Sequence, residues 1–407
     1  MPDPFPDRGG GPVRPQEAWA RFDDLRAGTA WAFPGIAYDL VATRPREVPG
    51  VLAELDRATA DGWWAFGFVA YEAAAGLDPA LPVHDPVPGL PLAWFGVCAA
   101  PESVPVVTPG GEYKVGDWVP DWGPAQHRRR VEAVRRHIAA GETYQCNLTT
   151  RLTTEFAGDP RALYADLALA QQGSYHACLD LGRFVVASAS PELFFEIRDR
   201  DVHLRPMKGT ARRGGTPAED AELVTRLRAS AKERAENIMI VDLIRNDVAR
   251  VAETGSVRVT SLCHAERYET VHQLTSGVSA RLRPDAGLPE VFRALFPCGS
   301  VTGAPKARTM ELIRDLETGP RGVYCGAIGM LAPAGAPFRA RFSVAIRTVL
   351  ADRDTGLATY GTGGGITWDS DPAAEYAELQ AKAAVLGAGS EARHGHLSQQ
   401  VRTRCPR

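Results

Sequence analysis

The chain has 407 residues, 44% of them hydrophobic, enough to bury a core of two or three domains or of one large composite fold. A formal net charge of −3, a pI near 6.3 and the lack of a basic stripe argue against a dedicated nucleic-acid binder. No apolar run is long enough to cross a bilayer, and Met1-Pro2-Asp3-Pro4 lacks the basic and apolar regions of a signal peptide, so a soluble cytoplasmic protein without a membrane partner is expected.

Residues 1 to about 35 are rich in Pro, Gly and polar side chains, and the chain is predicted to start poorly ordered. The aromatic runs at 63–71 and 92–97, bounded by Gly and Pro, predict strands. A Pro/Gly/Asp cluster over 105–123 reads as a boundary. It divides the chain into an N-terminal segment (1–117), a main region (118–388) and a mobile tail (389–407). A helix is predicted over 124–140, with Pro124 in its first turn, Gly141 as its stop, and Arg128, Arg129, Arg135 and Arg136 on a solvated face. Strands follow near 143–156, 174–180, 183–189, 194–198 and 201–206; consecutive and joined by short turns, they predict antiparallel pairing. Helices are predicted near 217–229, 231–250, 288–295, 304–315 and 372–386.

Chemistry concentrates at a few places on this frame. Arg205-Pro206-Met207-Lys208-Gly209-Thr210 sets Lys208 in a tight turn between a strand and a basic loop. A lysine there is either a solvated surface group or, once burial or a nearby cation lowers its pKa, a nucleophile. Glu375, Glu378 and Lys382 share one face of the last helix, which suits either a metal site or a simple Glu378/Lys382 surface pair. Glu236 stands at the margin of the apolar face of its helix, where a partly buried carboxylate wants a cation. Together the three glutamates would suffice for Mg²⁺. Glu192, in the Ser190-Pro191-Glu192 turn, is either a solvated carboxylate or a general acid.

Tyr360-Gly361-Thr362-Gly363-Gly364-Gly365-Ile366 lets backbone N–H groups close on an anion, but Ile366 stands where a dinucleotide fingerprint needs glycine. Gly299-Ser300-Val301-Thr302-Gly303-Ala304-Pro305-Lys306 lacks the adjacent Gly and Lys of a nucleotide-binding loop. The seven cysteines have no close pair and no metal-type spacing, so neither zinc nor a disulfide framework is implied. Cys325 lies between small residues but lacks the surroundings of a glutamine-hydrolysing nucleophile.

Over residues 120–386 these segments together resemble the chorismate-utilising enzymes. The resemblance is carried by Gly141-Glu142-Thr143-Tyr144-Gln145-Cys146-Asn147-Leu148, Ser190-Pro191-Glu192, Pro206-Met207-Lys208-Gly209-Thr210, Asp242-Leu243-Ile244-Arg245-Asn246-Asp247 and Thr270-Val271-His272. Thr302-Gly303-Ala304-Pro305-Lys306, Ser343-Val344-Ala345-Ile346-Arg347-Thr348 and Gly363-Gly364-Gly365-Ile366 follow in the family's order. The implied fold is α+β, with two large facing, mainly antiparallel β-sheets, helices packed outside, and the aromatic strands of the N-terminal segment on that core.

The resemblance also implies roles. Glu236, Glu375 and Glu378 would hold Mg²⁺ against the ring carboxylate of chorismate, and the planar fork of Arg347 would pair with the enolpyruvyl carboxylate. Gly364 and Gly365 would donate backbone N–H groups, and Lys382 and Tyr324 would line the pocket. Thr302, Thr210 and His272 would contact the ring or its leaving hydroxyl, with a buried structural role the other reading of His272.

Water-using members resemble one another in carrying a lysine base where this chain has Gln145, and anthranilate-forming members typically carry alanine in place of Lys208. Members that aminate chorismate at C4 typically carry that lysine in Pro-Ile-Lys-Gly-Thr, from which this chain departs only at Met207. The implied reaction is C4 amination on the way to p-aminobenzoate and folate, with Lys208 as nucleophile and Glu192 as acid. An anthranilate-forming subunit or a non-catalytic relative is the alternative. Ammonia is expected from a separate glutamine amidotransferase subunit, and the product is expected to pass to a separate aminodeoxychorismate lyase.

Overall fold

The structure, a computed structural model, describes residues 18–268 and 271–387. Its strands form two large sheets in which every pairing is antiparallel. The first runs Gly303–Ala304, Gln145–Gly158, Leu357–Ile366, Thr348–Asp352, Phe184–Ser190, Tyr175–Asp180, Trp19–Asp24, Thr29–Phe33, Glu102–Val104. The second runs Met207–Arg212, Val271–Arg281, Asp201–Arg205, Leu193–Arg198, Ala340–Val344, Ala327–Leu331, Trp64–Val69, Ala93–Cys98, Tyr38–Ala42, with Arg258–Arg267 also paired to Val271–Arg281.

The sheets face each other across a buried layer. Phe33, Leu179, Phe184 and Val186 of the first meet Phe66, Phe68, Ile328 and Met330 of the second. Helices cover the outer faces. Val48–Ala60, Ala231–Ala249 and Leu288–Leu295 bury Leu52, Leu55, Ile240, Ile244 and Phe292 against the second sheet. Pro160–Gln171 buries Leu163, Tyr164 and Leu167 against the first. No helix among the described residues is long and apolar enough to cross a membrane.

Local patterning accounts for most elements. Pro124 opens the helix Pro124–Ala139, and Asp371 caps Pro372–Ala383 by accepting from the N–H groups of Ala373 and Ala374. Three expectations change. The expected disorder near the N-terminus does not extend through residues 18–35: Trp19–Asp24 and Thr29–Phe33 are strands of the first sheet, and Phe33 is fully buried. Residues 1–17 and the expected tail over 389–407 lie outside the described residues. The helices Val48–Ala60 and Pro160–Gln171 were not anticipated, although Asp159-Pro160 carries an N-cap signal that the structure uses.

The third change concerns Lys208, which lies in a strand and not in a turn. Met207–Arg212 pairs with Val271–Arg281, with Met207 opposite Thr275 and Thr210 opposite Gln273. One extra residue is therefore accommodated between them, a β-bulge at Lys208-Gly209 where Gly209 adopts φ 87°. The Pro and Gly read as turn signals serve to bend an edge strand.

Candidate active site

Glu192, Lys208, Arg347 and the last helix converge on one cavity with about 1060 Å³ of empty space, its open mouth included. The first sheet supplies Gly363 and Gly365; the edge of the second supplies Met207 to Thr210. Helix Ala231–Ala249 contributes Lys232, Glu233 and Glu236, and helix Pro372–Ala383 contributes Glu375, Glu378 and Lys382.

Lys208 reaches the floor of the cavity because Gly365 has no side chain. A β-carbon at Gly365 would lie 3.1 Å from Lys208 Nζ and 2.4 Å from Gln145 Nε2. Gln145 itself is fully buried, and neither polar atom of its amide has a partner among the described residues. Glu192 is also buried; burial pushes its carboxyl up to about 7, against the Ser300 hydrogen bond and the charge of Lys208. Its Oε1 has no hydrogen-bond partner among the described residues, so a proton carried there is available to a ligand.

Arg347 holds its backbone at φ 53°, a left-handed conformation that costs a non-glycine residue about 1–3 kcal/mol. Its guanidinium lines the cavity, where Nη1 donates to the Lys382 carbonyl at 2.9 Å. Tyr360 donates its hydroxyl to the same carbonyl at 3.0 Å.

At the other side, burial raises the carboxyls of Glu233, Glu236 and Glu375, and each feels the charge of neighbouring glutamates. Burial also opposes the charge of Glu378, but Lys382 at 2.6 Å, with Lys208 and Lys232, brings it below the usual range. The i,i+4 pair expected on this face is thus present, with Lys382 Nζ also donating to the Gly363 carbonyl at 2.7 Å. Crowded, partly buried carboxylates of this kind suit a hard divalent cation by chemistry. No three such side chains among the described residues are already gathered as a cage, so a cation here would need oxygens from a substrate or water as well.

Thr210, Tyr324 and Gly365 line the cavity, whereas Thr302, His272 and Gly364 do not. Thr302 is fully buried and donates to the Cys298 carbonyl at 3.2 Å; its own carbonyl accepts from Asn147, which does line the cavity. Gly364 stands beside a lining carboxylate: a β-carbon there would be 3.1 Å from Glu375 Oε2. His272 is buried on the far side of its strand, with Nε2 2.8 Å from Asp220 Oδ1. Alternation along that strand puts Gln273 into the cavity, and its Nε2 donates to Thr210 Oγ1 at 3.4 Å. Sequence reasoning gave no role to Gln273, Glu233, Asn147 or Ser300; Glu233 had a signal in its spacing of three from Glu236, and Asn147 in the motif it shares with Gln145.

The family described as chorismate binding enzyme matches residues 39–387. An aminodeoxychorismate synthase of Streptomyces griseus is 47% identical over 257 residues, 63% of this chain and 35% of that protein. Aminodeoxychorismate synthase component 1 of Klebsiella aerogenes is 39% identical over 287 residues, 70% of this chain and 61% of that protein. The chain thus matches less than two thirds of the length of either relative. The crystal structure of anthranilate synthase component I from Streptococcus pneumoniae TIGR4 superposes with a TM-score of 0.72 at 26% identity, covering 95% of this chain and 93% of that one.

Proposed function

The chain belongs to the chorismate-binding enzyme family, and from that premise we propose that it aminates chorismate at C4, as an aminodeoxychorismate synthase component 1. The observation that carries this reading is Lys208, whose amine lies in the cavity beside Gly365 and close enough to Glu192 to act on its charge.

In the proposed reaction Arg347 pairs with the enolpyruvyl carboxylate and fixes the ring over Lys208. Mg²⁺, held by Glu236, Glu375 and Glu378, would supply positive charge to offset the ring carboxylate. Lys208 gives up its proton and its free amine attacks C2, the ring double bonds shift, and the C4 hydroxyl leaves with a proton from Glu192. Ammonia then adds at C4, the double bonds shift back, and the lysine amine is expelled from C2. A separate glutamine amidotransferase subunit would supply the ammonia, in keeping with the component 1 naming of the Klebsiella aerogenes relative, and a separate lyase would act on the product.

Incubation of the purified chain with chorismate, Mg²⁺ and ammonium chloride tests the reading. The expected product has the mass of 4-amino-4-deoxychorismate and forms without pyruvate. Anthranilate with an equivalent of pyruvate would overturn it.

A further inference from the structure

The sequence holds 46 lysine and arginine residues, and only five of them are lysines: Lys114, Lys208, Lys232, Lys306 and Lys382. Three of the five, Lys208, Lys232 and Lys382, line the large cavity. Lys306 pairs with Asp247 at 2.8 Å, and Lys114 is exposed. A chain that uses arginine for nearly every cation thus gathers its lysines at one site, where a compact ammonium on a flexible stem differs most from a rigid planar fork. Lys208 is the proposed nucleophile, and Lys382 holds Glu378 at 2.6 Å and the Gly363 carbonyl at 2.7 Å.

Helix stability does not account for Lys232. It is the second residue of Ala231–Ala249, in the turn where the helix dipole disfavours a positive charge. Its Nζ lies 3.9 Å from Glu236 Oε1, and a lysine placed N-terminal to its i,i+4 glutamate is the weaker order of such a pair. The side chain is half exposed. What its charge acts on is the glutamate cluster. Burial raises the carboxyls of Glu233, Glu236 and Glu375, and Lys232 is among the groups that oppose the rise; at Glu378 it acts with Lys382 and Lys208.

A divalent cation among Glu236, Glu375 and Glu378 would meet in Lys232 a like charge beside one of its own ligands. We propose that Lys232 is the displaceable counter-ion of the cluster: its ammonium neutralises the glutamates, releases Glu236 to an incoming divalent cation, and then pairs with the substrate carboxylate lying against that cation. Binding of metal and substrate is thereby coupled, because the substrate supplies the partner that the displaced Lys232 lacks. This inference rests on the reading of the glutamates as a metal site in the proposed function.

Mn²⁺ titration of the full chain, followed by electron paramagnetic resonance, tests the counter-ion. Without substrate, Lys232→Met removes the competing charge and is expected to tighten Mn²⁺ binding at least about threefold. Lys232→Arg, whose fork holds a carboxylate more firmly, is expected to weaken it. Saturating chorismate is expected to tighten Mn²⁺ binding in the parent and to do so less in Lys232→Met. Unchanged or weaker Mn²⁺ binding in Lys232→Met, at a melting temperature near that of the parent, would overturn the proposal. Equal affinities in the two variants, or an equal effect of chorismate on parent and Lys232→Met, would do the same. No Mn²⁺ binding by parent or variants would remove the metal site itself. The expected shifts in a chain that forms no 4-amino-4-deoxychorismate would support the counter-ion and sink only the proposed reaction.

Discussion

Gly365 stands where any side chain would press on Lys208: its β-carbon would lie 3.1 Å from the Nζ atom and 2.4 Å from Gln145 Nε2. Both contacts are with the far ends of flexible side chains, so the fold can yield while the amine is displaced. Gly365→Ala is therefore expected to cost stability at the low end of about 1–3 kcal/mol and to reduce kcat/KM by at least tenfold. Denaturant unfolding and steady-state kinetics on one preparation check both halves.

Lys208→Ala removes the proposed nucleophile, and Lys208→Arg keeps a positive charge that cannot attack. Loss of C4 amination by about two orders of magnitude or more is expected in both, read by product mass. Activity near the original level in Lys208→Arg would leave the side chain an electrostatic role alone.

Glu192 predicts an acidic requirement. Its folded carboxyl titrates near 7, above its ordinary value, so the proton it must donate is present at lower pH and lost as pH rises. The kcat/KM profile is expected to fall above about pH 7, and Glu192→Gln is expected to lose about 10²–10⁴-fold in kcat together with that limb. The stability effect follows from the same shift. The folded state keeps a proton that the unfolded state releases from about pH 4.5 upward, so ionisation of Glu192 penalises folding progressively until the folded group has titrated near 7. Glu192→Gln should gain about 3 kcal/mol relative to the parent at pH 8 and little at pH 4, measured by denaturant unfolding.

The glutamate cluster predicts a metal requirement shared among several positions. Glu236→Gln, Glu375→Gln or Glu378→Gln is expected to raise the Mg²⁺ concentration for half-maximal activity by about tenfold or more, and to weaken Mn²⁺ binding seen by electron paramagnetic resonance. Activity unaffected by a chelator would count against the cluster as a metal site.

His272 and Gln273 are adjacent in sequence and opposite in consequence. His272→Ala opens a buried site and strips Asp220 of a partner, so a stability loss of about 1–3 kcal/mol is expected with kcat little changed in the folded fraction. Gln273→Ala alters the cavity wall beside Thr210, so KM for chorismate should rise with stability nearly unchanged. Melting curves and kinetics of the two variants separate these roles.

Much of the frame is legible in the sequence. Caps and stops at Pro124, Gly141, Asp371 and Pro372 mark helix ends because they act on the nearest backbone groups alone. The strand runs of 174–206 were equally clear, since their patterning is local. The bulge at Lys208 and the strands of residues 19–33 escaped because pairing depends on a partner far along the chain.

By itself the sequence determined which reactive groups exist and in what order: an amine at 208, carboxylates at 192, 236, 375 and 378, a guanidinium at 347 and a glycine run at 363–365. Only the tertiary structure decided which of them meet. Period-two alternation turned Gln273 inward and His272 away, and the bulge and missing side chain at Gly365 aimed Lys208 at the cavity. Burial lifted the Glu192 carboxyl to about 7. Orientation and burial are set by contacts between segments a hundred or more residues apart, as Gly365 and Lys208 are, and so lie beyond any local pattern.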